Sequence, residues 1–65
     1  MKVRFHVEKY RIEKSLSLSE LARRSGVAKS HLHGIEAGER MPTVEVICKI
    51  ATALDVPSHF LYSYD

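Results

Sequence analysis

Four histidines and one cysteine are the side chains of this sequence best suited to metal or nucleophilic chemistry. Two of them, His31 and His33, stand as H-x-H inside SGVAKSHLHGIEAGER. Metal-binding histidines on one helix sit four residues apart, about 40° around the axis, whereas a spacing of two turns them about 200° apart. His31 and His33 therefore do not share an ion on one helix. His6 and His59 are isolated in sequence, so no metal site and no cofactor is expected. Cys48 lies beside the apolar stripe of ICKIATAL and reads as a small core residue rather than a nucleophile. No glycine-rich phosphate loop or carboxylate pair is present, and so short a chain leaves little room for a pocket. The expectation is a protein that is not an enzyme.

Charge offers a different chemistry. The net +2 is modest, but its distribution is uneven. Residues 1–31 hold eight Lys and Arg against three Glu, net +5, and residues 32–65 hold two against five Asp and Glu, net −3. A basic first half fits an anionic partner, or else a solvated surface. A single cysteine excludes an intrachain disulfide and fits a reducing cytoplasm. The charged N-terminus MKVRFHVEKYR is no signal peptide, and IATALDV is far too short to span a bilayer. Sixty-five residues form one domain, 1–65, with a marginal core.

The elements that must position these groups are sharply punctuated. SLSE at 17–20 reads as a capping box, with Ser17 as cap and Glu20 reaching back. LSELARRS then places Leu18, Leu21 and Ala22 on one side and Arg23 and Arg24 on the other. Gly26 can end that helix in the left-handed conformation. HVEKYRIEK upstream reads as a helix with Val7 and Tyr10 inward. KSHLHGIEA downstream spaces Leu32 and Ile35 as a helix that Gly38 stops. Thr43 caps the clearest helix, with Val44, Ile47, Ile50, Ala51 and Leu54 at helical period. SHFLY forms a last short turn with Ser58 as cap, giving five short helices in an all-α fold. The termini KVRF and FLYSY alternate with period two, which reads either as an antiparallel strand pair or as the start of the first helix.

Residues 18–37 form a unit: a helix, a sharp turn at Gly26, and a second helix crossing close at Ala22. Leu21, Val27, Leu32 and Ile35 fill the angle between them, as a helix-turn-helix requires. With LSLSELARRSGV, SHLHGIEAGERMPT and ICKIATALDVP, the chain resembles the lambda-repressor/Cro (XRE) helix-turn-helix family from about Tyr10 to Tyr62. The resemblance implies a compact five-helix domain that binds operator DNA as a dimer. Because the chain ends where such a domain ends, a stand-alone cytoplasmic regulator is expected. A pseudo-palindromic operator and repression are the leading expectation. The alternative is a protein-interaction module, such as an antitoxin or anti-repressor, built on the same fold.

The resemblance places the recognition helix at about Lys29 to Glu36. Lys29, Ser30, His31 and His33 match positions facing the major groove, with Gly34 beside them. The residue pattern agrees: Leu32 and Ile35 face the core, so positions 29, 30, 33 and 34 face away. Ser17 and Ser19 match a phosphate-contacting helix start, where Leu18 departs from the usual polar residue. Arg40 and Thr43 are further phosphate candidates. Arg11 and Glu36 match a partly buried ion pair between the first and third helices. Phe60, Leu61, Tyr62 and Tyr64 form an apolar C-terminal cluster, either packed on the monomer's own core or serving as a homodimer surface.

Overall fold

Two of the helices start where the sequence supplies a side chain to satisfy their free backbone donors. In a computed structural model describing all 65 residues, Ser17 Oγ accepts from the Glu20 N–H and Glu20 Oε1 accepts from the Ser17 N–H, both at 3.0 Å. That capping box opens α2, Leu18–Ser25. Gly26 ends it at φ 74°, a conformation that costs an L side chain about 1–2 kcal/mol, and the Ser25 hydroxyl accepts from the Val27 N–H across the turn. α3, Lys29–Glu36, follows at once. Thr43 Oγ1 accepts from the Val46 N–H to cap α4, Val44–Leu54. α1, Val7–Glu13, precedes these three.

The termini form strands. β1, Val3–Phe5, pairs antiparallel with β2, Tyr62–Tyr64, in the register Val3 to Tyr64, Arg4 to Ser63 and Phe5 to Tyr62. Lys2 and Asp65 exchange backbone hydrogen bonds at 3.1 Å, and His6 and Ser63 share a side-chain bond of 2.8 Å. The domain is therefore four α-helices and a two-stranded sheet, not five helices. The expected fifth helix is a single 3-10 turn, Ser58–Leu61, which begins after Pro57 rather than on a Ser58 cap. Pairing with β1 draws the chain into extended geometry at Tyr62, so the turn does not propagate.

Val7, Leu16, Leu21, Val27, Leu32, Ile35, Ile47, Ile50, Ala51, Leu54 and Leu61 make one core, with Tyr10, Leu18 and Ala22 packed against it. Three expectations are corrected here. Leu61 is fully buried, because the 3-10 turn aims it inward, so it serves the core and no dimer surface. Val44 is 81% exposed because it is the first residue of α4, beyond the end of the core stripe. Cys48 is also exposed, since Ile47, Ile50 and Ala51 occupy the buried side of α4.

One polar interaction ties the layers. Arg11 Nε donates to Glu36 Oε2 at 2.8 Å and Nη2 to Oε1 at 3.1 Å, while Nη1 donates to the Leu16 carbonyl at 2.8 Å. The side chains are 14% and 6% exposed. The hydrogen bond to Glu36 raises the Arg11 pKa further above its already high value, so the guanidinium stays charged. Elsewhere, backbone and side-chain hydrogen bonds with Ser17 hold the Glu20 carboxyl below the usual glutamate range.

Two outcomes follow. Arg11→Ala and Glu36→Ala each lower stability by about 3 kcal/mol, because each strands a largely buried charge. The double variant loses less than the sum, as read by urea denaturation of all four proteins. For Glu20, the folded state binds fewer protons than the unfolded chain. Its contribution is complete above about pH 5 and is lost as pH falls through its lowered pKa. Glu20→Gln, which keeps the cap's geometry, flattens that part of a thermal-melt series between about pH 5 and 3.

Candidate nucleic-acid interface

Core packing decides which side of α3 is free. Leu32 and Ile35 are buried, so Lys29, Ser30 and His33 emerge on the opposite side, all exposed. His31 is half-buried at the edge of that face. Gly34 lies on the same outward stripe yet is itself buried, beneath the side chain of Arg40. The expectation of an open Gly34 is therefore corrected: the loop after α3 folds back over it.

The N-terminus of α3 differs from its neighbours. α2 and α4 are closed by the side chains of Ser17 and Thr43, whereas Ala28 offers α3 no side-chain cap. Its first turn contains no acidic residue. The first-turn N–H groups and the positive end of the helix dipole are thus left to an outside acceptor, beside Lys29 and Ser30. α3 enters this position directly from the Gly26 turn, so the same turn that packs the two helices also exposes this end.

Around α3 the structure arranges further donors. Ser17 and Ser19 are exposed at the start of α2. The Ser17 N–H is occupied by Glu20, which leaves the serine hydroxyls and the next backbone N–H groups of the first turn. Half-buried Leu18 turns toward the core. Arg40 is exposed and no side-chain bond engages its guanidinium; Thr43 is exposed and its hydroxyl proton remains available while its oxygen caps α4. Arg23 and Arg24 are exposed in the last turn of α2, where cations complement the helix dipole.

Sequence reasoning did not bring Lys2 and Arg4 beside Arg40. A groove of about 650 Å³ between β1 and residues 37–41 places both with Arg40, and only the strand pairing brings the chain's start to this place. It also missed Ser25 and Pro42, which are buried. Phe60, Tyr62 and Tyr64 are exposed, with the Phe60 ring packed at a tilt against Tyr10, 5.9 Å between ring centroids. No three His, Cys, Asp or Glu side chains converge, and no helix is long and apolar enough to cross a membrane.

The helix-turn-helix family HTH_3 matches residues 7–61. The transcriptional regulator SinR of Bacillus subtilis is 45% identical over 56 residues, which covers 85% of this chain and 50% of SinR. The chain therefore spans about half the length of that curated relative. Among solved structures, the restriction-modification controller protein C.AhdI from Aeromonas hydrophila superposes with a TM-score of 0.79 at 38% identity, over 82% of this chain and 80% of that one. SinR in complex with DNA superposes with a TM-score of 0.79 at 44% identity, over 82% and 86%. These relatives are regulators rather than enzymes. Sequence and backbone agree from Val7 through both helices of the motif to Leu61, and the chain belongs to the XRE-type helix-turn-helix family HTH_3.

Proposed function

We propose that this domain is a sequence-specific DNA-binding transcriptional regulator, a repressor that uses α3 as its recognition helix in the major groove. The observation that carries the reading is the open N-terminus of α3, uncapped and free of acidic residues, set beside exposed Lys29 and Ser30. A phosphate or a base edge supplies the acceptors that this end lacks. Lysine donates to guanine O6 and N7, while the serine hydroxyl donates to acceptor edges or accepts from donor edges. Ser17, Ser19, Arg40 and Thr43 stand around α3 as backbone contacts that fix its register, while Lys29, Ser30 and His33 read bases. His31, half-buried, contributes from the edge.

A helix of this length reads few base pairs. A homodimer repeats it about 34 Å away, one turn along the duplex, and makes the operator pseudo-palindromic. Phe60, Tyr62 and Tyr64 are the exposed apolar residues offered to that contact. SinR is named a transcriptional regulator and has been solved with DNA, and C.AhdI is named a controller protein; both names point in the same direction as the geometry.

Selection of bound duplexes from a random pool is the direct test. The expected motif is two inverted half-sites with centres about 10 base pairs apart. Affinity falls steeply with salt, with a log–log slope of several units. Recovery of no duplex, or binding without a salt slope, overturns the reading in favour of a protein partner. Lys29→Ala costs about 1–3 kcal/mol and relaxes one position of the motif; uniform weakening on all sequences would move Lys29 from a base to a phosphate.

A further inference from the structure

Gly34 is buried on a face where its neighbours Ser30 and His33 are exposed. What covers it is specific. Arg40 Cγ and Cδ lie 2.8 and 2.9 Å from where a residue-34 Cβ would stand, and Arg40 Cβ lies 3.4 Å away. The backbone is anchored at the same residue: the Glu39 and Arg40 N–H groups both donate to the Gly34 carbonyl, at 2.8 and 3.1 Å. The stem of Arg40 therefore crosses α3 in the volume that any other side chain at position 34 would occupy. Its guanidinium has neither a hydrogen bond nor an ion pair within the domain.

We propose that Gly34 is a seat for Arg40, which delivers a positioned guanidinium to a DNA phosphate beside the recognition helix. The proposal rests on the DNA-binding reading above. A free arginine loses much rotamer entropy when it engages a phosphate, whereas a stem already held along α3 has lost part of it before binding. Its planar fork then meets phosphate oxygens with little further ordering. Glycine inside a helix carries a propensity cost relative to alanine. Here the missing Cβ gives the stem its place. Position 34, one turn after Ser30, is thus served by a side chain that enters from the following loop.

The test uses Gly34→Ala, Arg40→Ala and the double variant with the duplex recovered from random-pool selection. Alanine favours the helix while displacing the Arg40 stem, so Gly34→Ala still folds. Its Arg40 side chain nevertheless becomes more mobile, read as a lower order parameter of the Nε–Hε group by NMR in the free protein. Affinity falls about tenfold in Arg40→Ala, as for loss of one charged contact, and by most of that factor in Gly34→Ala. Adding Gly34→Ala to Arg40→Ala changes affinity no further. Arg40→Ala also lowers the salt slope by about 1. Parent affinity in Gly34→Ala, effects that multiply in the double variant, or an unchanged salt slope in Arg40→Ala would each overturn the proposal. If no duplex binds at all, the DNA reading fails by itself. The NMR measurement still decides the seat, because an equally ordered Arg40 in Gly34→Ala removes it.

Discussion

Which side chains α3 presents depends on its rotation about its own axis, because one residue of slip turns every side chain by about 100°. Leu32 and Ile35 set that rotation coarsely by their burial. The Arg11–Glu36 pair sets it finely. One guanidinium engages both carboxylate oxygens of Glu36 on α3 and the Leu16 carbonyl just before α2, so three segments meet at one planar group. A buried ion pair often adds little net stability over an apolar pair, since desolvation offsets attraction. Its value here is directional. Bidentate hydrogen bonds tolerate less rotation than methyl groups do.

The treatment of helix ends completes that arrangement. Ser17 and Thr43 satisfy donors of α2 and α4, and Glu20 places a negative charge at the start of α2. α3 has none of these at its start. Capping residues stabilise a helix by about 1 kcal/mol, so α3 forgoes a stabilisation that α2 and α4, the helices on either side of it, both have. The charge pattern follows the same division. Lys29 and Arg40 are exposed around α3, while Glu36, the acid within it, is turned inward and neutralised by Arg11.

Much of this was legible in the sequence because it is local. The capping box and the left-handed Gly26 follow from residues within a few positions of one another. Leu32 and Ile35 fix the buried side of α3 and therefore its free side. The strand pair rested on period two alone, a signal that three-residue strands barely carry, and its register joins residues some sixty positions apart. The fate of Leu61 depended on that pairing, which ends the 3-10 turn and fixes which aromatic residues stay outside. Cys48 and Val44 lie outside the core for another reason. A stripe of apolar residues gives the direction of the core but not its width, and α4 is buried along Ile47, Ile50, Ala51 and Leu54 only.

Gly34 shows where residue-by-residue transfer of a motif stops. Matching positions assumes that a side chain acts where its own Cα stands. That holds for Lys29 and Ser30, which are held out by the helix itself. It fails at position 34, where the helix contributes only a flat backbone and a carbonyl that anchors the next loop. The side chain filling that place belongs to residue 40, and its reach comes from a flexible stem that sequence spacing does not describe. A glycine that looks like a gap in the recognition helix is then the condition for a longer side chain to lie across it. Because the loop is anchored to the same Gly34 carbonyl, any rotation of α3 carries Arg40 with it. The Arg11–Glu36 pair thereby positions two neighbouring segments, the helix and the loop that follows it.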